Sequence, residues 1–215
     1  MIKVCIVDDH PIFRKGLIAI LNQEERVEVV GECTTASEAI ELIRDKSPDM
    51  AFIDISLQGM NGIELCKYLH QNYPSLKICI VSMHDESVYA DRAIRAGAKG
   101  YIMKQEAGKK VRDAIREISQ GKYFLNDSLK DRILSLLLHS SDSGESGDSV
   151  HSLSDREFEV FRLVGGGMGN TEIGHVLNIS TKTIETYKRN IRQKLDLESS
   201  SELRQYAVHW LRDNT

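Results

Sequence analysis

Five polar residues of this chain stand at places where buried strands are predicted to end. Asp8 and Asp9 follow one apolar run, Asp54 follows a second, and Ser82 and Lys104 follow two more. Three carboxylates brought together repel one another, and a divalent cation relieves that repulsion. Mg²⁺ prefers one or two carboxylates with water and a phosphate oxygen. The pattern therefore predicts an open acidic site for Mg²⁺.

The same residues can take part in phosphoryl transfer. With a cation present, a carboxylate oxygen of Asp54 can attack phosphorus in line, while the cation and Lys104 offset the growing negative charge. The product would be an acyl phosphate on Asp54. An aspartate pair after a strand is usually a solvated turn, so the prediction depends on all five groups reaching the same end of successive strands.

The elements that must position these groups are short apolar strands that alternate with helix-period segments. Several strands are apolar on both faces, as parallel strands covered by helices are. Ligands of such sheets bind at the carboxyl ends of the strands. The pattern predicts an α/β fold, a (βα)5 doubly wound parallel sheet of the flavodoxin-like kind. The predicted strands lie near 3–7, 27–31, 50–53, 78–81 and 100–103.

A small all-α unit of four helices is predicted after residue 150. Ser154 and Glu157 form a capping box that opens its first helix. The segments NTEIGHVL, NIS and TKTIETYKRNIRQKL predict a helix-turn-helix, and a last helix runs through Trp210. The predicted divisions are a first domain at 1–122, a linker at 123–150 with a helix near 128–139 and a flexible Ser/Gly/Asp segment, and a second domain at 151–215.

Composition excludes some classes of protein. The chain of 215 residues has 41% hydrophobic and 28% charged residues, and no apolar run approaches the length of a membrane span. Its start lacks the pattern of a secretory signal. We expect a cytoplasmic protein that does not contact a membrane. Its four cysteines show no metal-ligand spacing, which predicts reduced thiols in the core.

Positive charge is concentrated on the longer helix of the helix-turn-helix. Residues 181–195 hold five lysines and arginines against one glutamate, a balance of +4 within a chain of net charge −4. An apolar stripe of Ile184, Tyr187, Ile191 and Leu195 anchors one side of this helix. A basic helix offered in this way is typical of a recognition helix in the major groove of DNA. The outward residues are predicted to be Lys182, Glu185, Thr186, Arg189 and Arg192.

The motifs VDDHP, FIDISLQGMNGIEL and VSMHDESVYADRAIRAGAKGYIMK, with the helix-turn-helix after them, resemble a response regulator of the NarL/FixJ family. Such proteins join a receiver domain to a LuxR-type DNA-binding domain. The resemblance implies a transcription factor of a two-component system, not an enzyme. It also implies that a sensor histidine kinase phosphorylates the receiver, and that phosphorylation controls homodimer formation and promoter binding. RNA polymerase is a further partner to consider.

The resemblance assigns roles to the residues of the receiver. Asp54 would be the phosphoacceptor, and Mg²⁺ would be held by Asp8, Asp9, Asp54 and the backbone carbonyl of Ser56. On phosphorylation, the Ser82 hydroxyl would move to the phosphate and an aromatic ring would follow it inward. The phosphate-contacting and switch residues are then Ser82, Tyr101 and Lys104.

Roles in the DNA-binding domain follow from the same resemblance. Glu185, Thr186 and Arg189 occupy the positions that face bases, while Lys182, Thr183 and Lys188 are placed for phosphates, with Arg192 further along the helix. Family dimers use the last helix. The candidates for the dimer interface are Leu203, Ala207 and Trp210.

Two alternatives stay open. A phosphatase of the haloacid dehalogenase type also uses an aspartyl phosphate, but it carries DxD after its first strand, whereas Asp8 and Asp9 are adjacent here. The intact acidic site argues against a regulator that works without phosphate. Gln105 keeps this alternative open, because it replaces the proline that receivers commonly carry in a cis peptide after the lysine. A trans peptide there would place Lys104 differently. His84 could screen a phosphoryl group or be an ordinary loop histidine.

Overall fold

The computed structural model describes residues 1–57, 59–84, 86–126, 129–131 and 149–214. The chain divides into two compact units, Met1–Leu134 and Ser135–Thr215. Of the predicted linker, the Ser/Gly/Asp segment and most of the helix near 128–139 lie outside the described residues. The domain limits at 1–122, 123–150 and 151–215 stay predictions.

A five-stranded parallel sheet forms the centre of the first unit, in the order β2-β1-β3-β4-β5. The predicted doubly wound fold is therefore confirmed, and each predicted strand lies within two residues of an observed one. The order reverses between β1 and β3, which makes their carboxyl ends the expected place for a ligand. The strands are β1 (Ile2–Val7), β2 (Val27–Cys33), β3 (Met50–Ile53), β4 (Lys77–Ser82) and β5 (Gly100–Met103).

Helices cover the sheet because each carries an apolar stripe. One core is formed by the sheet with Leu17, Leu21, Val111 and Ile118, which lie on α1 and α5. The four cysteines are buried and form no disulfide with one another, as predicted. The helices that cover the sheet are α1 (Pro11–Leu21), α2 (Ala36–Lys46), α3 (Gly62–Asn72), α4 (Glu86–Arg95) and α5 (Ala107–Ser119).

The chain that leaves α5 turns back along the sheet. Phe124 accepts a hydrogen bond from the backbone N–H of Tyr101 (3.1 Å) and donates one to the carbonyl of Lys99 (2.8 Å). Asn126 then donates from its backbone N–H and from its side chain to the carboxylate of Glu86, at 3.2 and 2.8 Å. The exit from the first unit is thereby fastened to β5 and to the start of α4.

The second unit is helical, as predicted. Ser154 and Glu157 form the predicted capping box, and the aromatic core brings the ring of Trp210 to 5.5 Å from that of Phe158. The turn of the helix-turn-helix packs closely against Gly174. A Cβ on Gly174 would lie only 2.9 Å from the carbonyl oxygen of Ile179 in that turn. No helix in the described part of the chain is long and apolar enough to span a membrane. The helices are α6 (Asp155–Gly165), α7 (Asn170–Leu177), α8 (Thr181–Lys194) and α9 (Ser200–Asn214).

Candidate functional site

The predicted polar groups lie at the carboxyl ends of four strands, and three of them are in direct contact. Nζ of Lys104 lies 2.8 Å from Oδ2 of Asp8 and 2.8 Å from Oδ2 of Asp54. All three side chains are buried, whereas Asp9 is partly exposed. A buried cation between two buried carboxylates offsets their mutual repulsion. The structure therefore brings together three of the five groups that the strand pattern placed at one edge.

Backbone contacts fix the position of Asp54. Its N–H donates to the carbonyl of Val7 at 2.9 Å, which extends the pairing of β1 with β3 by one residue. Gly62, the first residue of α3, packs against it so closely that a Cβ there would lie 1.9 Å from the carbonyl oxygen of Asp54. Only glycine fits this approach. The carboxylate is thus held by the sheet on one side and by α3 on the other.

The electrostatics of Asp54 favour an added cation. Burial raises the pKa of its carboxyl above the ordinary value, and the charge of Asp8 adds to this, against the opposing effect of Lys104. Oδ1 of Asp54 is buried and has no hydrogen-bond partner among the described residues. Buried polar atoms are nearly always satisfied, so this oxygen is available to a metal or to an incoming phosphoryl group.

The side-chain atoms that surround Oδ1 of Asp54 are suitable ligands for a hard divalent cation. Ligand atoms of Asp8, Asp9, His10 and Asp54 all lie within 4.8 Å of one another. Three of the four side chains offer carboxylate oxygens, which Mg²⁺ prefers. The backbone carbonyl of Ser56 belongs to the loop that follows Asp54, and its part in metal binding stays a prediction.

Lys104 reaches the site without a cis peptide. No peptide bond in the described ranges is cis, and Lys104–Glu106 form a short 3-10 turn directly after β5. The ammonium group of Lys104 also lies 4.8 Å from the centre of the Phe13 ring. The expectation that a trans bond places Lys104 differently stays a prediction; with the trans bond of this structure, the long side chain contacts both aspartates.

Ser82 and Tyr101 lie beside the site, and both are buried. The hydroxyl of Tyr101 donates to the backbone carbonyl of His84 at 2.8 Å. The Ser82 hydroxyl accepts a hydrogen bond from the N–H of His84 at 3.1 Å. Burial raises the pKa of the Tyr101 hydroxyl. The Tyr101 ring is already buried in the inward position that the family resemblance assigns to the phosphorylated state.

His84 joins the loops after β3 and β4. Its Nε2 lies 3.0 Å from the hydroxyl oxygen of Ser56, and its ring stacks on that of Tyr89 with the centres 4.8 Å apart. Ser56 follows Asp54 by two residues. The imidazole is therefore held against the loop that follows Asp54, and a role in screening a phosphoryl group stays a prediction.

The recognition helix α8 has the predicted amphipathic character. Ile184 and Ile191 are fully buried, and Ser180 caps the helix by accepting from the N–H of Thr183 at 3.1 Å. Because the buried isoleucines fix the rotation of α8 and Ser180 fixes its start, the opposite face of the helix is exposed to solvent. The exposed residues on that face include Lys182, Glu185, Thr186 and Arg189.

Three other predicted DNA contacts have partners within their own unit. Lys188 is half-buried and donates to the side chain of Asn170 at 2.6 Å; burial, with the charge of Arg204, lowers its pKa. The hydroxyl of Thr183 lies 2.8 Å from that of Ser180. Arg192, predicted to point outward, instead donates to the carbonyl of Glu198 at 3.2 Å, because the chain turns back at the end of α8.

The candidate dimer residues belong mainly to the core. Leu203 and Ala207 are fully buried, and Trp210 packs edge-on against Phe158 and Phe161. The assignment of Leu203 and Ala207 to an interface is therefore wrong, since the apolar stripe of α9 packs against α6. An interface on this helix would use its exposed face, where Val208 is 38% exposed.

Comparison with known families excludes the phosphatase alternative and leaves the phosphate-independent regulator open. Residues 4–116 match the response regulator receiver domain, and residues 151–207 match the luxR family of bacterial regulatory proteins. The chain is a DNA-binding response regulator of the NarL/FixJ family. It is a regulator and not a classical enzyme.

Relatives of this response regulator match it over nearly its whole length. The transcriptional regulatory protein LiaR of Bacillus subtilis is 36% identical over 209 residues, which cover 96% of this chain and 97% of LiaR. RcsB from Salmonella enterica serovar Typhimurium, bound to promoter rprA in the presence of phosphomimetic BeF3⁻, is 28% identical with a TM-score of 0.63, covering 96% and 98% of the two chains. A structure of two RcsB dimers bound to two parallel DNAs is 31% identical with a TM-score of 0.56, covering 95% and 96%.

Two residues of the response regulator's acidic site were missed by the sequence reasoning. Nδ1 of His10 lies 2.8 Å from a carboxylate oxygen of Asp9, and Arg14 contacts the backbone of Asp8. His10 could have been found from the sequence, because it directly follows the aspartate pair, whereas the contact of Arg14 depends on how α1 packs beside the end of β1.

Proposed function

We propose that Asp54 accepts a phosphoryl group from a sensor histidine kinase. One observation carries this proposal: the Asp54 carboxylate is buried, with Oδ2 on Lys104 and Oδ1 free of partners among the described residues. Oδ1 would attack phosphorus in line, forming the O–P bond as the P–N bond to the histidine of the kinase breaks.

The neighbouring residues would prepare Asp54 for this step. Asp8, Asp9, Asp54 and the backbone carbonyl of Ser56 would hold Mg²⁺, which supplies positive charge for the phosphoryl oxygens when bound. Lys104 would offset the remaining negative charge from the opposite side. The fit of carboxylate ligands around an unpartnered buried oxygen supports this assignment.

Ser82 and Tyr101 would then read the phosphorylated state. A phosphoryl group adds charge and strong hydrogen-bond acceptors, so the hydroxyl of Ser82 gains more by meeting it than by accepting from His84. The inward ring of Tyr101 would be retained by that rearrangement. Phosphorylation would in this way select one of two packings of the loop after β4.

We also propose that phosphorylation controls binding of a homodimer to promoter DNA. The exposed residues Glu185, Thr186 and Arg189 would face bases, and Lys182 would contact phosphates. Thr183, Lys188 and Arg192 would reach DNA only by giving up their present partners. RcsB bound to promoter DNA, and as dimers on DNA, supports the same arrangement here.

Phosphorylation by a small phosphodonor tests the proposal. Wild type, Asp54→Ala and the surface control Asp45→Ala would be incubated with acetyl phosphate and Mg²⁺, and intact mass recorded over time. We expect a gain of one phosphoryl group in wild type and Asp45→Ala only, followed by slow loss. A gain in Asp54→Ala would move the phosphoacceptor elsewhere, and no gain in wild type would refute the proposal.

A further inference from the structure

Arg14 connects three elements around the acidic site without offering a ligand atom to it. It lies on α1, and its Nη1 donates to the backbone carbonyl of Asp8 at 2.6 Å. Its Nε donates to the carboxylate of Glu32 on β2 at 2.5 Å. The side chain is only 12% exposed. The guanidinium therefore ties the end of β1 to a neighbouring strand and a helix.

No backbone N–H in the described part of the chain donates to the carbonyl of Asp8, so this carbonyl needs another donor. The N–H of Asp8 still pairs with the carbonyl of Cys33 at 3.0 Å, and the carbonyl of Val7 pairs with Asp54 at 2.9 Å. The carbonyl of Asp8 is the next acceptor along β1 and takes its hydrogen bond from Arg14. Backbone carbonyls in such a position are normally satisfied.

The other described side-chain contacts of the turn that carries Asp8 and Asp9 are made through its carboxylates, with Lys104 at 2.8 Å from Asp8 and His10 at 2.8 Å from Asp9. His10, the N-cap of α1, makes no side-chain capping hydrogen bond, and Pro11 has no N–H. Oδ1 of Asp8 accepts from the N–H of His10 at 2.7 Å. A bound cation would compete for that same carboxylate. The contact from Arg14 is made to the backbone, so it persists when the carboxylate oxygens turn to a metal.

We propose that Arg14 is the positioning residue of the metal site, holding the backbone of Asp8 and Asp9 so that both carboxylates face the cation. This rests on the proposed function, because it assumes that Asp8 and Asp9 bind the metal. Arginine suits the role since its planar fork donates to a carbonyl and a carboxylate together, which a lysine ammonium does less well. Residues that orient metal ligands in this way typically contribute 10–100-fold to metal affinity.

Direct titration of the full chain with Mn²⁺ tests the proposal, with unbound Mn²⁺ measured by electron paramagnetic resonance. Mn²⁺ accepts the same oxygen ligands as Mg²⁺ and has a spectroscopic signal. We expect the dissociation constant to rise about tenfold in Arg14→Ala, less in Arg14→Lys, and least in Glu32→Gln, which keeps the guanidinium. The matched control is Arg44→Ala, which removes an exposed arginine paired with Asp45 and should leave the affinity unchanged.

The outcomes separate the two proposals. If wild type binds no Mn²⁺, the proposed function fails together with this inference. If wild type binds and folded Arg14→Ala binds equally well, only the role of Arg14 is refuted. Circular dichroism melting shows whether Arg14→Ala folds. If it does not fold, Arg14→Lys and Glu32→Gln decide: unchanged Mn²⁺ affinity in both overturns the role of Arg14, and graded weakening of the affinity supports it.

Discussion

The acidic site of the receiver and the recognition helix of the DNA-binding unit are built in opposite ways. The first gathers Asp8, Asp54 and Lys104 from distant parts of the chain and buries them. The second presents Glu185 and Arg189 from a single helix to solvent. In the first case the sheet decides where each side chain lies. On the recognition helix, hydrogen bonds to nearby residues of the same unit decide which charged side chains remain exposed to solvent.

Because of this difference, we expect a single substitution to cause a larger loss of function in the acidic site than on the recognition helix. Each buried group of the acidic site contacts others of the same site, so the loss of one leaves its partners unsatisfied. Exposed groups on α8 act separately, and their losses should be smaller and closer to additive.

The largest effect is expected for Lys104→Ala. Its ammonium group contacts both Asp8 and Asp54, so its loss removes positive charge from the place where phosphoryl charge builds up. We expect phosphorylation by acetyl phosphate to slow about 100-fold, the usual cost of one preorganised donor. Intact-mass time courses measure this. Lys110→Ala, which breaks only the exposed pair with Glu106, is the control, and equal rates in the two variants would contradict the assignment.

The next effect separates two arginines of α8. Arg189 is exposed, whereas Arg192 is bonded to the carbonyl of Glu198. Arg189→Ala should weaken binding to a site chosen from random duplexes by about 1–3 kcal/mol, as expected for a base contact. Arg192→Ala should change affinity less and lower the melting temperature instead. Fluorescence anisotropy and thermal melting provide both measurements, and the reverse order would show that Arg192 turns to DNA on binding.

A smaller effect, on preference more than affinity, is expected for Glu185→Ala. The exposed carboxylate can accept a hydrogen bond from a cytosine amine, which would discriminate against other bases by roughly 1–3 kcal/mol. Removing it also removes a negative charge that DNA repels, which offsets part of the lost affinity. The variant should therefore bind with similar strength but relaxed choice at one base. An unchanged preferred sequence in a binding selection would refute this contact.

The sequence was sufficient for the parts that backbone topology determines. Apolar strands predict a parallel sheet, the sheet places Asp54 and Lys104 at one edge, and the capping box of Ser154 and Glu157 is local in the chain. It was insufficient where a side chain chooses among several partners. Nothing in the pattern shows that Lys188 reaches Asn170 or that Arg14 reaches the carbonyl of Asp8, because both contacts depend on how separate elements pack.

Helix α9 is a second case in which the sequence pattern could not predict the contacts of a side chain. The helical period correctly marks Leu203 and Ala207 as apolar positions, but the period cannot tell a stripe packed inside the unit from one that awaits a partner. The structure distinguishes them by burial, since both side chains are fully covered.

A carboxylate paired with lysine occurs in both units, and its pKa moves in opposite directions. Burial dominates at Asp54 and raises its pKa. Burial also acts on Glu157, but hydrogen bonds from Lys194 and Ser154 overcome it and hold the pKa of Glu157 below its usual value. The lowered pKa means that the ionised form stabilises the fold above the unfolded pKa, and that this stability is lost as pH falls through the folded pKa.

Glu157→Gln should therefore destabilise the second unit at neutral pH by about 1 kcal/mol, a modest effect because Lys194 is partly exposed. Glutamine can keep the capping box, so the change isolates the charge. The difference from wild type should shrink as the pH falls through the pKa of Glu157, where the wild-type carboxyl also becomes neutral. Thermal melting followed through Trp210 fluorescence across that range measures it. A deficit that stays constant with pH would show that packing, and not the ion pair with Lys194, accounts for the effect.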